Sequence, residues 1–317
     1  MPDAQPEFIQ IARHDAAALR DELVRGLQQD AARIAPKFFY DALGCRLFEA
    51  ITLLDEYTST RSEAAVFERH GDDIAQACGS GHTLIDLGAG NCAKAERLFG
   101  RLQPRRYVAV DIAVEFLREA LTPLQARHAQ LPMLGLGMDL QSLPALPPQV
   151  GDGSRLMFYA GSSIGNFSAD AAAGFLRRVR EASAGGALLI GVDLRKPAPR
   201  LRHAYDDALG LTAAFNLNLL RHVNRLLGSD FEPRAWRHVV RFDGALSRIE
   251  MHLQARRAQR VQWPGGERAF RGGERVLTEI ACKYTRPRFE ALLRDAGYAH
   301  TRCWSDEPGA FAVFVAR

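Results

Sequence analysis

Cysteine is scarce in this 317-residue chain, and the five present, Cys45, Cys78, Cys92, Cys282 and Cys303, are scattered. They form no Cys-x-x-Cys pair and have no zinc-type spacing to histidine. Neither a disulfide framework nor a metal site is therefore expected, and a reducing cytoplasm suits the chain best. No apolar run approaches the roughly 18 residues that cross a bilayer, so no membrane partner is expected. The opening residues, MPDAQPEFIQIARHD, lack the basic and apolar regions of a secretory signal. Internal repeats and low-complexity tracts are missing too. Lysine is nearly so, at four of the 41 basic residues. That skew reads as genome composition rather than function. A GxxxxGK[ST] run is also absent, which disfavours a nucleoside-triphosphate loop.

What is present is ordinary for a globular protein, with 47% hydrophobic and 25% charged residues. The length allows two domains or one large one. The net charge of +4 is uneven: residues 195–317 hold 22 basic and 13 acidic side chains, residues 1–194 hold 19 and 24. A basic C-terminal part can face nucleic acid or an anionic ligand. It can equally be arginines on solvated strand faces, which is the favoured reading.

Residues 15–29 read as an amphipathic helix, with Leu19, Leu23 and Leu27 on one face. Residues 36–61 are rich in aromatics. From residue 82 the pattern becomes strand–helix alternation. Strands are expected over 82–90, 105–113, 131–140, 155–167 and 187–194, with helices over 92–102, 114–128 and 168–186 between them. Such alternation means a parallel sheet of βαβ units. After Lys196–Pro197 it stops. Residues 203–227 look helical, and 238–263 look like a hairpin turning at Asp243–Gly244. In its second strand Ile249, Met251, Leu253 and Ala255 share one face, and Arg248, Glu250, His252, Gln254 and Arg256 the other, as in a half-buried antiparallel sheet. A strand over 274–284, a helix over 286–298 and two terminal strands complete the chain.

The loop Asp86-Leu-Gly-Ala-Gly-Asn-Cys-Ala-Lys94 sits where the first parallel strand meets its helix. Gly88 and Gly90 let the backbone approach a ligand without a Cβ clash. Position 93 is Ala93, so the third glycine of GxGxxG is missing. Asp111 ends the second strand, where an acid can hold both ribose hydroxyls. Asp139 ends the third, where an acid can meet an adenine amine. Acids after successive strands, without a phosphate device, point to a cationic nucleoside such as S-adenosylmethionine.

The segments FFYDALGCRLFEAITLLDEYTSTRSE, LIDLGAGNCAKAERL, GSSIGNF, AYDDALGLTAAFNLNLL, IEMHL and TEIACKY, in this order, resemble the histidine Nα-methyltransferase family of ergothioneine biosynthesis. Members convert histidine to its trimethyl betaine, hercynine, with S-adenosylmethionine. The resemblance covers nearly the whole chain. It implies an α/β fold, a Rossmann-like class I methyltransferase domain with an inserted second α+β substrate-binding domain. The expected division is 61–196 plus 286–317 for cofactor, and 1–60 plus 197–285 for substrate. It implies cofactor contacts from Tyr40, Gly88, Gly90, Lys94, Asp111, Asp139 and Leu140. The substrate carboxylate would be held by Tyr57, Asn166 and Tyr205, and the amine would lie near the Gly161 backbone. Glu279 would hold the imidazole, with Phe48 and Met251 shaping the pocket. Tyr40 and Gly161 would stand nearest the reacting atoms. Taken alone, Tyr40 and Tyr57 read equally as core aromatics, Asn166 as a turn residue, Tyr205 as a helix start and Glu279 as a solvated strand residue.

Two departures stand out. A serine usual two residues after the glutamate is Ala281 here, on the same strand face. Thr58–Ser59 replaces a common Tyr–Pro. A lost neutral hydrogen bond weakens binding by about 0.5–1.5 kcal/mol. Another substrate, such as tryptophan or a histidine analogue, is therefore the nearest alternative. A nucleic-acid methyltransferase is more distant, because amino-group DNA enzymes carry [DNS]-P-P-[YF] where this chain has Ser163-Ile-Gly-Asn166-Phe167. A monomer without metal, acting on a small molecule, is expected.

Overall fold

The computed structural model describes residues 5–11, 16–141, 143 and 145–317. Thirteen strands are found among them: β1 (Glu7–Gln10), β2 (Thr83–Leu87), β3 (Arg106–Asp111), β4 (Met133–Gly137), β5 (Arg155–Tyr159), β6 (Ala187–Asp193), β7 (Trp236–Asp243), β8 (Arg248–Ala255), β9 (Gln259–Trp263), β10 (Gly266–Phe270), β11 (Arg275–Cys282), β12 (Thr301–Ser305) and β13 (Phe311–Ala316). The chain divides into two units. One takes in β1, Ser59–Arg195 and Lys283–Arg317; the other takes in the helix Ala16–Leu27 onward to Thr58, and Lys196–Cys282. Among the described residues no helix is long and apolar enough to cross a membrane.

The first unit is built on an eight-stranded sheet ordered β1-β4-β3-β2-β5-β6-β13-β12. Only β13 runs against the rest. Strands β2, β4 and β6 are buried along their whole length, which is why they read as mostly apolar runs, with Asp86 the buried exception inside β2. The order reverses between β2 and β5, the crevice where open α/β sheets bind ligands.

The structure corrects several expectations. Residues 5–11, expected in the substrate domain, supply the edge strand β1 beside β4. Gly135 makes this possible, because a Cβ there would stand 2.5 Å from the Phe8 ring. Arg118 stacks its guanidinium 4.2 Å from the same ring. The chain also re-enters the first unit at Lys283 rather than at residue 286. Lys283 and Asp193 form an ion pair at 2.8 Å with both side chains 3% exposed. The single helix expected over 92–102 is two short ones, Ala93–Glu96 and Phe99–Leu102. Leu98 and Arg101 donate three residues back, to Ala95 and Leu98, which tightens the turn out of α geometry.

The second unit holds the antiparallel sheet β11-β8-β7. The hairpin expected over 238–263 ends instead at Ala255, and β9 pairs with β10 as a separate two-stranded sheet. The polar face of β8 is covered, with Glu250 and Gln254 buried. Its groups pair with one another: Arg248 donates twice to Glu250 Oε1 (2.9 and 2.6 Å), and His252 Nε2 meets Glu250 Oε2 at 3.1 Å. The expected helix over 203–227 is two helices, Ala198–His203 and Leu211–Leu227. Between them Asp207 accepts from the Leu211 and Thr212 amides (2.9 and 2.8 Å) and so caps the second. A core of Leu23, Leu27, Phe39, Phe215, Leu219, Trp236 and Leu253 fills this unit.

Candidate functional site

The glycine loop leaves β2 and folds back on β3. Gly88 and Ala89 both donate to the Val110 carbonyl, at 2.8 and 3.0 Å. Gly88 and Gly90 are left-handed, with φ of +73° and +53°. A Cβ on Gly88 would lie 3.6 Å from the Leu140 side chain, so Leu140 is brought to the loop. A Cβ on Gly90 would meet nothing within 4 Å, which leaves this backbone open to a ligand. Asp111, at the end of β3, ties the loop down. Its Oδ2 accepts from Gly90 N–H and its Oδ1 from Ala113 N–H, both at 2.9 Å. Burial raises its pKa, and these backbone donors oppose the rise. Half-buried Asp139, just past β4, accepts from the Gln141 amide at 2.9 Å. The carboxyl ends of β2, β3 and β4 thus carry Gly88, Gly90, Asp111, Asp139 and Leu140.

Lys94 is drawn to Gly161 through a residue the sequence reading missed. Glu63, on the helix Ser59–Cys78, is 2% exposed. Its Oε2 accepts from Lys94 Nζ at 2.6 Å and its Oε1 from Gly161 N–H at 2.8 Å. Asn166 ends the short 3-10 turn Ser163–Asn166 that follows Gly161.

Beneath the loop, Tyr107 donates its hydroxyl to Asp86 Oδ2 at 2.8 Å. Burial lifts the Asp86 pKa to about 7; the charges of Asp111 and Glu63 add to the rise, and the Tyr107 bond and Lys94 oppose it. An acid whose pKa is higher folded than unfolded holds its proton more tightly in the native state. The stability this gives is complete below the unfolded pKa and is lost as pH rises through the folded one. Stability should therefore fall between about pH 4 and about pH 7, by up to roughly 4 kcal/mol. Asp86→Asn is expected to flatten that part of the profile. Thermal midpoints across this range check it, and an unchanged slope refutes it.

In the second unit four aromatic rings form a chain. Tyr40 meets Phe48 edge-on at 6.0 Å, Phe48 meets Tyr57 at 6.3 Å, and Tyr57 meets Tyr205 at 6.4 Å. Phe215, not expected at the site, backs Tyr40 and Phe48, each at 6.0 Å. Asp41 fixes the corner after Tyr40 by capping the helix Ala42–Ile51 through the Gly44 amide at 2.7 Å. The backbone at Tyr205 is held by His238, whose Nε2 donates to the Tyr205 carbonyl at 2.8 Å. His238 Nδ1 accepts from Asn216 Nδ2 at 2.8 Å, and the same amide nitrogen donates to the His252 carbonyl at 3.2 Å. Carbonyls can only accept, so this chain of bonds requires a neutral ring with its proton on Nε2. Burial lowers the His238 pKa in the same sense, against the Tyr205 carbonyl bond and the charges of Asp206 and Asp207.

Glu279, Met251 and Ala281 come together through an irregularity in β11. Leu277 pairs with His252, but Glu279 pairs with Met251 and Ala281 with Ile249, so Thr278 is an extra residue. Thr278 turns inward and donates its hydroxyl to the Met251 carbonyl at 3.0 Å. Without the bulge, Glu279 would face the Glu250 side of the sheet. Ala281 is 3% exposed and packs with Leu201 and Ile249. The bulge has no signature in the sequence, where Glu279 simply alternates with Ile280.

The sequence matches a family model described as histidine-specific methyltransferase, S-adenosylmethionine-dependent, over residues 19–317. The chain belongs to this family. It is 37% identical over 308 residues to the histidine N-alpha-methyltransferase of Mycolicibacterium smegmatis, covering 95% of each chain. A protein of the same name from Mycobacterium tuberculosis is 37% identical over 306 residues, 94% of each. Ergothioneine biosynthesis protein 1 of Neurospora crassa is 30% identical over 288 residues, 87% of this chain and 32% of that longer one.

This methyltransferase is thus an S-adenosylmethionine-dependent N-methyltransferase. The open Gly90 backbone and the acids ending β3 and β4 fit such a cofactor, whose ribose and adenine offer donors to carboxylates. Among the described residues no group of three or more His, Cys, Asp or Glu is placed to hold a metal ion.

Proposed function

We propose that this methyltransferase acts on the α-amino group of free L-histidine and carries it to the Nα-trimethyl betaine, hercynine. The observation that carries the reading is the bulge at Thr278, which puts the Glu279 carboxylate on the same sheet face as buried Met251. A carboxylate is a strong, charge-assisted acceptor for an imidazole N–H. In this reading Gly88, Gly90, Lys94, Asp111, Asp139 and Leu140 hold the cofactor, together with Tyr40. S-adenosylmethionine, when bound, supplies an electrophilic methyl group.

The remaining work is positioning. The Asn166 amide and the Tyr57 and Tyr205 hydroxyls are neutral donors suited to the substrate carboxylate. The amine lies against the Gly161 main chain and must be neutral, because an ammonium has no lone pair. Its pKa is about 8 in model peptides, so the site has to favour the uncharged form. The faces of Tyr40 and Phe48 suit the ammonium as it becomes quaternary. We further place the enzyme in a reducing cytoplasm, where its five cysteines, all free thiols, are stable. There it works as a monomer on a small molecule, without nucleic acid or membrane.

Mass spectrometry of purified protein with S-adenosylmethionine and each amino acid tests the reading. Trimethylated histidine as the main product is expected. Turnover of another amino acid in preference to histidine would move the substrate, and silence across the panel would sink the proposal.

A further inference from the structure

The Gly161 turn is strained. Gly161 has φ of +70°, and the next residue, Ser162, is a non-glycine in the left-handed region, with φ 61° and ψ 26°. Such a pair persists only where surrounding contacts hold it. Two contacts do so. Ser162 Oγ accepts from the Asp193 amide at 2.8 Å. Glu63 Oε1 accepts from the Gly161 amide at 2.8 Å. The second contact also reaches the cofactor loop's helix, because Glu63 Oε2 holds the Lys94 ammonium at 2.6 Å. That ammonium presses on the turn, since a Cβ on Gly161 would stand 2.9 Å from Lys94 Nζ. The fold makes room for the carboxylate from below. A Cβ on Gly191, in β6, would be 2.2 Å from Glu63 Oε1.

We propose that Glu63 is a positioning residue of the methyl-transfer site, fixing the Gly161 peptide and the Lys94 ammonium relative to one another. The inference rests on the roles proposed above for Gly161 and Lys94 and adds the group that sets them. One buried carboxylate with two oxygens satisfies two donors on different elements. The residue matters through them and not by touching substrate. The Gly161 N–H, once paired with Glu63, fixes the plane of the Ala160–Gly161 peptide.

The test is Glu63→Gln, which keeps the shape and one acceptor but turns an amide donor toward Lys94. Calorimetric titration with S-adenosylhomocysteine gives affinity and competent fraction separately. The expected result is an affinity weakened about threefold or more at unchanged stoichiometry, and a kcat lowered roughly tenfold. A merely structural residue would lower the stoichiometry and the thermal midpoint and leave the affinity alone. Affinity within about threefold of the parent overturns the proposal. If Glu63→Gln does not fold, Glu63→Asp, which keeps the charge but cannot span both donors, is read the same way. A parent enzyme silent on every amino acid would remove the function proposed above, whereas the titration would still decide on Glu63.

Discussion

Asp111→Ala is expected to weaken S-adenosylmethionine binding by at least about 100-fold, the largest loss of any single change in the first unit. Two effects combine. The Asp111 carboxylate accepts from Gly90 and Ala113, so its removal leaves two amides at the ends of β2 and β3 without their partner. The Gly90 backbone, left-handed and open on one side, then loses the bond that fixes it. The same two oxygens retain lone pairs for the ribose hydroxyls in the proposed complex. Hydrogen bonds to a charged acceptor contribute about 1.5–3 kcal/mol each, so two of them account for roughly 100-fold to 20,000-fold. Asp111→Asn should fall between, because one oxygen remains while an amide donor now faces the backbone N–H groups. Titration calorimetry at saturating protein concentration checks both variants. A loss under about tenfold for Asp111→Ala would mean that the carboxylate organises the loop without meeting the ligand.

Much of the first unit was legible because its central parallel strands are buried on both faces. Thr83–Leu87 and Ala187–Asp193 are mostly apolar runs followed by glycine or ending in an acid, and that pattern survives without any knowledge of neighbours. The loop residues Gly88, Gly90 and Asp111 were legible for a related reason: they occupy positions set by the strand ends. The edge strand β1 was not legible. Its four residues EFIQ carry no period, and its place is made by the missing side chain of Gly135, which is remote in sequence. Glu63 was hidden among the charged residues of the helix Ser59–Cys78. Its burial follows from Lys94 and Gly161, 31 and 98 residues away. His238 was hidden likewise, since its two partners lie on the Leu211–Leu227 helix and in the loop before it. The polar face of β8 misled for a converse reason. Alternation reports that one face is polar, not that it is wet, and an Arg248–Glu250–His252 cluster can be covered when the Glu250 carboxylate pairs with both neighbours.

The substrate side of the reading turns on Glu279. Glu279→Ala is expected to lower kcat/KM for histidine by roughly 10- to 150-fold, the equivalent of one charge-assisted hydrogen bond of about 1.5–3 kcal/mol. Kcat at saturating histidine should change less, because the imidazole bond is made equally in the bound substrate and in the transition state. Discrimination against amino acids without a ring N–H should collapse by the same factor, since the carboxylate that favours the imidazole is gone. Ala281→Ser is the companion variant. Ala281 stands next to Glu279 on the strand face but is packed against Leu201 and Ile249 and is almost fully buried. A hydroxyl there enters an apolar cluster, where leaving it unpaired costs about 1–3 kcal/mol. The expected outcome is a lower thermal midpoint with histidine kcat/KM within about threefold of the parent. The pair of variants then assigns imidazole recognition to the carboxylate, with the residue at 281 acting as wall. A histidine kcat/KM that rises strongly in Ala281→Ser would reverse the assignment and mark the alanine as a determinant of a different natural substrate. A Glu279→Ala enzyme as selective as the parent would remove the carboxylate from recognition altogether.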